Sequence, residues 1–454
     1  MNGPHYAFIY FLQAFLAYAG TEVRKPNVVL ILADDLGYND LSCYGSKKQR
    51  TPILDNLAKE GLRLTSFYAG STVCTPSRMA LLTGAYPPRL GWSGGVVGYG
   101  LKPHNGLAPK ARTMGEVFKD ADYNTALIGK WHLGDTAELH PQEQGFDLTY
   151  FIDKSNNQTR KLWRGMDLEY DPFDNRRLTE NFINEAISFI RRNKNKSFFL
   201  YLPLSAPHFP AQAHPDWENK SANGSYGDVV EELDNRIGAL LEVLKEEDLE
   251  KNTIVVFTSD NGTEPGQRKW GSGEPFRGMK WSSLEGGTRV PCIIRFPGRL
   301  PAGVVNDKLT AAIDLLPTLA AACGIKLGDG QDIVPKMDGL GLWDSLRGKA
   351  KHHPRDNLLY WNGWAVPQAI RIGDWKLFFD KIKEIPTSST TPILIDLAND
   401  PSEENNLAST YPKKVNAMMA IAKKLLAEIN EHSISLGGPA PTKSANKKSA
   451  FWLK

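Results

Sequence analysis

Continuous apolar runs in the N-terminal half of the chain predict strands that are buried on both faces. Pro26–Asp35 contains the run Asn-Val-Val-Leu-Ile-Leu-Ala, and Thr253–Ser259 reads Thr-Ile-Val-Val-Phe-Thr-Ser. Thr125–Gly129 and Ser197–Pro203 are shorter runs of the same kind. Because helices cover both faces of a parallel sheet, its strands lack the polar alternation of a half-exposed strand. The runs therefore predict strands of a mainly parallel sheet.

Apolar residues that recur every three or four positions predict two helices between these strands. The first begins near Arg177 or Thr179, and the second ends shortly before the strand at 253. Their apolar positions are Leu178, Phe182, Ile183, Ala186, Ile187 and Ile190 in the first, and Val229, Leu233, Ile237, Leu240, Leu241 and Leu244 in the second. Strands that alternate with helices predict an α/β fold in which helices sandwich a large, mostly parallel sheet.

The pattern changes after about residue 346, where short aromatic strands replace the long buried runs. A Gly373-Asp374 turn separates two of them, which is typical of an antiparallel pair. The predicted strands are Tyr360–Trp364, Ala369–Ile372, Trp375–Phe379 and Ile393–Leu397, and a helix is predicted over Lys413–Ile429. This part of the chain predicts a smaller C-terminal antiparallel sheet with one helix packed on it.

The composition is that of a globular protein with a sizeable core. The 454 residues are 41% hydrophobic, and 54 basic against 51 acidic side chains leave a net charge of +3. Such a balance does not favour nucleic acid or a membrane surface as the partner. The four cysteines are too few for a disulfide scaffold, and no internal apolar run is long enough to span a membrane.

The N-terminal 19 residues have the character of a signal peptide. An apolar stretch closes on Ala17-Tyr18-Ala19, a small-x-small cleavage site, although no Lys or Arg precedes it. A buried N-terminal segment is the alternative. We therefore expect an exported protein: secreted, periplasmic or lysosomal, depending on the host. The predicted organisation is a signal peptide at 1–19, a catalytic domain at 20–345, a C-terminal α+β subdomain at 346–436 and a flexible basic tail at 437–454.

Each of the two longest apolar runs ends in acidic or amide residues. Asp34-Asp35 follows the first run, and Asp260-Asn261 follows the second. Ligands of open α/β sheets collect beyond the carboxyl ends of the strands, where adjacent carboxylates repel each other unless a cation lies between them. An all-oxygen set suits calcium or magnesium. The alternative is that these acids cap the following helices, but two such pairs favour a metal.

Cys74 allows two simple interpretations. A cysteine beside a proline turn and near Arg78 could be a thiol with a lowered pKa, or it could be a buried structural cysteine. The segment Cys74-Thr75-Pro76-Ser77-Arg78, followed by Leu81-Leu82-Thr83-Gly84, resembles the signature of the sulfatase family. In that family the cysteine of the signature is converted to formylglycine.

Further motifs similar to those of the sulfatase family follow in the family's order along nearly the whole chain. They are Asp34-Asp35 with Gly37, Gly129-Lys130-Trp131-His132-Leu133-Gly134, Gly145-Phe146-Asp147, Ala206-Pro207-His208-Phe209-Pro210, Ser259-Asp260-Asn261-Gly262, Arg277-Gly278-Met279-Lys280, Glu285-Gly286-Gly287-Thr288-Arg289-Val290-Pro291, and the stretch from Asp396-Leu397 to Asn406-Leu407-Ala408. A lone Cys-x-Pro-x-Arg is a weak signal, whereas the ordered set is specific. The resemblance implies an alkaline phosphatase-like fold.

The resemblance also implies a metal site and a nucleophile. One calcium ion would be held by Asp34, Asp35, Asp260 and Asn261, together with an oxygen of the modified Cys74. The hydrated formylglycine at position 74 would attack the sulfur of a sulfate ester. The formylglycine-generating enzyme would then be a partner during maturation.

The resemblance implies roles for the basic residues as well. Arg78 would hold and polarise the nucleophile, and Lys130 and Lys280 would grip the sulfate oxygens. His132 would accept a proton, and His208 would contact the sulfate near the leaving oxygen. Taken one at a time, the histidines could be core residues, the lysines surface charges, and Arg78 a partner of a structural acid. The shared order of the motifs favours the functional roles.

The substrate is weakly encoded. Several tryptophans lie near the motifs or in the C-terminal sheet and could stack on sugar or aryl rings, although any one of them could pack in the core: Trp92, Trp270, Trp281, Trp361 and Trp364. With the expected export, they favour a sulfated carbohydrate. The rivals are a phosphoesterase or phosphonate monoester hydrolase on the same fold, and a non-catalytic sulfoglycan-binding protein with an unmodified Cys74.

Overall fold

The computed structural model describes residues 24–328, 335–380, 382, 384–385 and 392–438. The predicted signal peptide at 1–19 and nearly all of the predicted basic tail at 437–454 lie outside these ranges. Among the described residues, no helix combines the length and the apolar character needed to cross a bilayer.

The strands, numbered along the chain, are β1 Asn27–Ala33, β2 Leu62–Leu64, β3 Phe67–Tyr68, β4 Asn124–Lys130, β5 Leu148–Ile152, β6 Leu162–Arg164, β7 Asp167–Tyr170, β8 Phe198–Pro203, β9 Thr253–Ser259, β10 Cys292–Arg295, β11 Val304–Asn306, β12 Thr310–Ala311, β13 Asn357–Trp361, β14 Pro367–Ile372, β15 Trp375–Phe378 and β16 Ile393–Asp396. The α-helices are α1 Pro52–Lys59, α2 Cys74–Thr83, α3 Met114–Lys119, α4 Leu178–Arg192, α5 Gly224–Glu246, α6 Glu285–Thr288, α7 Leu315–Ala322, α8 Trp343–Leu346 and α9 Pro412–Glu431.

The strands of the described ranges form a large mixed sheet, a two-stranded pair and a small antiparallel sheet. The large sheet has ten strands in the order β11-β2-β10-β9-β1-β8-β4-β5-β6-β7. Its centre, β9-β1-β8-β4-β5, is parallel throughout, and antiparallel strands flank it on both sides. Strands β13 to β16 form the antiparallel sheet in chain order. The predicted fold class is therefore confirmed.

The central strand β1 shows why its sequence is apolar without alternation. Val28, Leu30 and Leu32 point into one apolar cluster, which also contains residues of α2, α3 and α7. Val29 and Ile31 point into a second cluster, which contains residues of α1, α4 and α5. Because successive side chains of a strand face opposite sides of the sheet, both sets need apolar residues.

The C-terminal sheet packs on the first of these clusters and carries one correction to the sequence prediction. Its buried residues share the cluster with β2 and β3. The predicted strand Tyr360–Trp364 is wrong at its end, since β13 stops at Trp361. Asn362 accepts hydrogen bonds from the backbone N–H groups of Trp364 and Val366, and these bonds turn the chain out of the sheet. The domain boundary expected after residue 345 stays a prediction.

A buried ionic network joins the C-terminal sheet to α6 of the large unit. Lys376 of β15 is fully buried, and its Nζ lies 2.9 Å from Glu285 Oε1 and 2.8 Å from Glu403 Oε1. The backbone N–H of Glu285 donates to Glu403 Oε2 at 2.7 Å. Burial would raise the pKa of Glu285, but Lys376, Arg289 and Arg371 lower it to about 2. Burial raises the pKa of Glu403 to about 7. The Lys376 ammonium thus bridges the two buried carboxylates, and Arg289 and Arg371 add positive charge near Glu285.

Replacement of this ammonium should destabilise the fold. Lys376→Met keeps the volume of the side chain but leaves Glu285 and Glu403 facing each other without their shared cation. Breaking a buried ion pair on one side costs roughly 3–5 kcal/mol. Urea unfolding at neutral pH should show a loss of that size in the free energy of unfolding.

Lys423→Met is the matched control, because Lys423 is an exposed lysine of α9. Its effect should stay within about 0.5 kcal/mol. Equal effects of the two substitutions would show that the buried network contributes nothing to stability.

Candidate functional site

The acidic residues lie side by side because β1 and β9 are parallel neighbours in register. Ala33 is paired with Ser259, so the residues that follow each strand emerge together at the carboxyl edge of the sheet. The backbone N–H of Asp35 donates to Asp260 Oδ1 at 3.1 Å, and Asn261 Nδ2 donates to Asp35 Oδ1 at 2.7 Å. Asp34, Asp35, Asp260 and Asn261 are all buried.

Cys74 is the first residue of α2, and its side chain reaches the same edge. Its Sγ lies 3.6 Å from Asp34 Oδ1 and 3.8 Å from Asp35 Oδ1. Pro76 is tolerated in the first helical turn because the N–H groups there have no helical acceptor. Those free N–H groups also make the start of a helix favourable for negative charge.

The thiol of Cys74 does not have the reactive character that one interpretation of the sequence assigned to it. Burial, reinforced by Asp260 and Asp34, raises its pKa even though Lys130 and Lys280 act in the opposite direction. Only 1% of the residue is exposed, so the unmodified thiol has almost no access to solvent. The lowered-pKa alternative is therefore wrong, and Cys74 is a protonated thiol among polar groups.

Arg78 lies one helical turn after Cys74 and is fully buried. Its Nε donates to Asp260 Oδ2 at 2.9 Å, and its second terminal nitrogen lies 2.8 Å from the same oxygen and 3.4 Å from Asp34 Oδ1. The remaining nitrogen donates to the carbonyl of Lys130 at 2.7 Å. The guanidinium therefore ties α2 to the ends of β1, β4 and β9.

Two lysines from distant segments complete the basic groups. Lys130 ends β4, and its Nζ lies 2.6 Å from Asp34 Oδ2. Lys280 lies in the loop before α6, and its Nζ lies 2.8 Å from Asp35 Oδ2 and 3.1 Å from Glu264 Oε2. Burial would lower the pKa of Lys280, but Asp35 and the other nearby acidic groups raise it well above its usual value. Both lysines are ion-paired with buried aspartates.

The two carboxylates that share Arg78 differ in their protonation. Burial would raise the pKa of Asp34, but Lys130, His208 and Arg78 together hold it well below its usual range. Burial and repulsion from Asp34 raise the pKa of Asp260 to about 7. Asp34 is thus the more firmly ionised of the two.

His132 is a neutral imidazole with one free acceptor. Its Nε2 lies 2.9 Å from the carbonyl oxygen of Val97, which only accepts hydrogen bonds, so Nε2 carries the proton. Its Nδ1 is buried and has no hydrogen-bond partner among the described residues. Burial, together with Lys130 and Arg78, lowers its pKa well below the usual value. Nδ1 is therefore available to accept a proton.

His208 approaches the site from the loop after β8. Its Nδ1 donates to the carbonyl of Phe209 at 2.7 Å, and its Nε2 lies 3.5 Å from Asp35 Oδ2. Burial lowers its pKa to about 4, although Asp35 and Asp34 oppose this shift. The neutral ring leaves Nε2 as an acceptor beside the carboxylates.

The structure brings together part of the metal-binding set that the sequence indicated. Ligand atoms of Asp34, Asp35, Cys74 and His208 all lie within 4.8 Å of one another. Asn261 Oδ1 is buried without a hydrogen-bond partner among the described residues, which leaves it free to coordinate a cation. Asp260 stands apart from this group, since Arg78 holds its carboxylate. His208 was expected at the sulfate instead.

Two residues near the site were missed by the sequence analysis. Thr75 donates to the carbonyl of His132 at 2.9 Å and accepts from the N–H of Val97 at 3.0 Å, and so fixes two loops around Cys74. Glu264 shares Lys280 with Asp35. The position of Glu264, three residues after Asn261, was a weak indication that it lies near the site. No sequence pattern pointed to Thr75, because its partners are backbone groups.

A cleft of about 570 Å³ opens beside Lys280. Its lining includes Lys48, Arg268, Arg277, Lys280, Phe276 and Trp281. Of the tryptophans that the sequence analysis singled out, Trp92 and Trp361 are buried in the core. Trp270 and Trp281 are half-buried, and Trp364 is exposed.

Comparison with known proteins places the chain in one family. A family model described as Sulfatase matches residues 26–325, and a model described as N-sulphoglucosamine sulphohydrolase, C-terminal, matches residues 280–433. The chain is similar to mouse steryl-sulfatase, with 33% identity over 87% of this chain and 80% of the relative. It is also similar to dog N-acetylgalactosamine-6-sulfatase, with 33% identity over 78% of this chain and 72% of the relative.

Solved structures of sulfatases are similar to the structure of this chain. A sulfatase from Pseudoalteromonas sp. is 27% identical and superposes with a TM-score of 0.81 over 94% of this chain and 95% of its own. A sulfatase from Bacteroides thetaiotaomicron, solved in work on glycosaminoglycan metabolism, is 28% identical with a TM-score of 0.80 over 89% of this chain and 100% of its own. The fold is the alkaline phosphatase-like fold of these enzymes. The chain belongs to the sulfatase family and is a sulfuric ester hydrolase.

Proposed function

We propose that this sulfatase hydrolyses a sulfate monoester with residue 74, oxidised from cysteine to formylglycine, as its nucleophile, and with one calcium ion in the site. The observation that carries the proposal is the convergence at Cys74. Its Sγ lies within hydrogen-bond distance of Asp34 and Asp35, and Arg78 is on the same helix one turn later. Because burial raises the pKa of the Cys74 thiol, the unmodified side chain would be a poor nucleophile, and its conversion to formylglycine would supply a better one.

The proposed metal ligands are Asp34, Asp35, Asp260 and Asn261, with an oxygen of modified residue 74. The unpartnered Oδ1 of Asn261 and the close approach of Asp34, Asp35 and Cys74 support this set. Oxygen ligands with several carboxylates are what calcium prefers. Calcium supplies positive charge that acidifies a bound hydroxyl and orients it.

The remaining roles follow from charge and hydrogen bonding. Arg78, Lys130 and Lys280 are buried cations, and fixed positive charge around a sulfuryl group stabilises the charge of the transition state. His132 presents a free Nδ1 that accepts the proton of a hydroxyl at residue 74. His208 lies beside Asp35 and contacts the ester near its leaving oxygen.

We further propose a sulfated carbohydrate as the substrate class and export as the setting in which the enzyme meets it. The relatives act, by their names, on N-acetylgalactosamine 6-sulfate and on steryl sulfates. The formylglycine-generating enzyme is the proposed partner during maturation. We also propose that the chain is organised into a catalytic domain at 20–345 and a C-terminal subdomain at 346–436.

Turnover of model esters tests the reaction. The protein, produced together with a formylglycine-generating enzyme, should hydrolyse nitrophenyl sulfate faster than nitrophenyl phosphate. Cys74→Ala should lower kcat/KM for the sulfate at least about 1,000-fold, because loss of a nucleophile removes the covalent route. Mass spectrometry of the tryptic peptide Leu64–Arg78 should find an aldehyde at position 74 in the active protein.

Cys43→Ala is the matched control, since Cys43 is a half-buried cysteine outside the site, and this variant should retain full turnover. Faster turnover of the phosphate would favour the phosphoesterase rival. A wild-type protein that binds sulfated glycan and hydrolyses neither ester would favour the non-catalytic rival. An active protein with an intact thiol at position 74 would contradict the proposed nucleophile.

Calcium titration tests the ligand set. Asp35→Asn and Asp260→Asn should each weaken calcium binding at least about tenfold, because each removes one negative charge from the oxygen ligands. Isothermal titration measures the affinity directly. Calcium at 100 times its Kd should also stabilise the wild-type fold by about 2.7 kcal/mol in thermal unfolding.

Asp344→Asn is the control for this titration, because Asp344 is an exposed acid of α8 that pairs with Arg347. Its calcium affinity should equal that of the wild type. If Asp260→Asn binds calcium as tightly as the wild type while Asp35→Asn does not, Asp260 is only the partner of Arg78.

A further inference from the structure

We propose that Tyr99, Trp281 and Trp364 form an aromatic platform that stacks on the sugar ring of a sulfated saccharide while its sulfate lies at Lys280. This inference rests on the proposed function and narrows its substrate class. The three residues come from separate segments of the chain. Trp281 follows Lys280 in sequence, and both residues line the same cleft of about 570 Å³.

The platform is a contiguous aromatic surface. The indole rings of Trp281 and Trp364 are stacked, with centroids 5.4 Å apart and an angle of 28° between their planes. The Tyr99 ring lies 6.0 Å from each of them. Tyr99 is 57% exposed and Trp364 is 50% exposed. Large aromatic side chains that stay exposed together are typical of a binding surface.

The backbone is shaped to hold the rings in place. A Cβ on Gly363 would lie 2.2 Å from Cε3 of Trp281, and a Cβ on Gly100 would lie 2.8 Å from Cζ3 of Trp364. Any larger residue at these two positions would displace an indole. The N–H of Gly95 also donates to the carbonyl of Gly363 at 2.8 Å, which joins the loop of Tyr99 to the loop of Trp364.

Hydrogen bonds fix the platform relative to Cys74. The N–H of Trp281 donates to the carbonyl of Thr72, two residues before Cys74, at 2.9 Å. Val97, in the loop that carries Tyr99, donates its N–H to Thr75 Oγ1 and accepts from His132 Nε2. The platform is therefore held by the segments that position the proposed nucleophile and the proposed proton acceptor. A ring bound to it has a defined place beside the reacting ester.

The chemistry of the surroundings favours a sugar over a sterol. The apolar face of a pyranose packs on an aromatic ring, and its hydroxyl groups remain hydrated, which an open platform permits. A sterol needs an enclosed and mainly apolar pocket. Trp281 instead borders the cleft of about 570 Å³, whose lining includes the acids Glu274 and Glu384 and an excess of cations, namely Lys48, Arg268, Arg277 and Lys280. These cations suit further anionic groups of a sulfated saccharide.

Binding to catalytically silent protein tests the platform without dependence on turnover. In the Cys74→Ala background, isothermal titration compares a disaccharide of N-acetylgalactosamine 6-sulfate with inorganic sulfate. Trp364→Ala should weaken binding of the disaccharide about tenfold, as expected for the loss of one stacked ring. The factor by which Kd rises should be at least about five times larger for the disaccharide than for inorganic sulfate. Trp364→Phe, which keeps a flat ring, should recover most of the affinity.

Tyr170→Ala is the matched control, because Tyr170 is also 50% exposed but lies on the edge strand β7. It should bind the disaccharide as the unsubstituted background does. Tyr99→Ala is the second test variant, and it should also weaken the disaccharide selectively. Thermal unfolding checks that each variant is folded.

The other outcomes would overturn the platform. Equal weakening of the disaccharide and inorganic sulfate would mean that Trp364 only supports the anion site. Unchanged disaccharide binding in both platform variants would show that no ring stacks there. If the two platform variants weaken the binding of a steryl sulfate but not of the disaccharide, the platform binds an apolar group and not a sugar. If the unsubstituted background binds neither inorganic sulfate nor the disaccharide, the proposed function is contradicted, and the platform that rests on it is contradicted as well.

Discussion

The structure depends on the compensation of three carboxylates buried at the ends of two neighbouring parallel strands. The register of β1 and β9 brings Asp260 beside the consecutive residues Asp34 and Asp35, although 225 positions separate Asp260 from Asp35. Left alone, they would repel each other strongly in a medium of low dielectric constant. Arg78, Lys130 and Lys280 supply the compensating charge. Each comes from a different segment, so the site holds α2, β4 and the loop before α6 against one edge of the sheet.

The C-terminal sheet contributes to the same edge through the loop that carries Lys280. Glu285, which begins α6 after this loop, is held by Lys376 of the small sheet. Arg277, at the other end of the loop, donates to the carbonyls of Ser402 and Glu403. The loop is therefore fixed on both sides of Lys280 and Trp281 by residues more than 90 positions away. The small sheet acts on the site by positioning a lysine and an indole.

Local patterns predicted the parts of the structure that are determined locally. The apolar run at Thr253–Ser259 coincides with β9, and the acids after it emerge at the carboxyl edge as parallel topology requires. The end of β13 was misplaced, because an asparagine turn competes with the aromatic β-propensity of Trp364. The burial of Cys74 was one of two interpretations that the sequence left open. It depends on Lys130 and Asp34, which lie 56 positions after it and 40 before it, and no local pattern reports such a contact.

Under the proposed function, the charges of the site favour a bound divalent cation. The three buried carboxylates and the three buried cations sum to zero when the histidines are neutral and the partly exposed Glu264 is left out. Both lysines are engaged by Asp34 and Asp35. An anionic ester gains little from a neutral set of ion pairs. A divalent cation bound to the carboxylates would raise the sum to +2 and weaken the hold of the acids on the lysines. Because binding of the cation and of the ester then favour each other, the two affinities are linked. Under the proposed function the acids therefore act in the same way with and without the metal: they hold positive charge, from the ammonium groups or from the cation, at the point where the sulfate would bind.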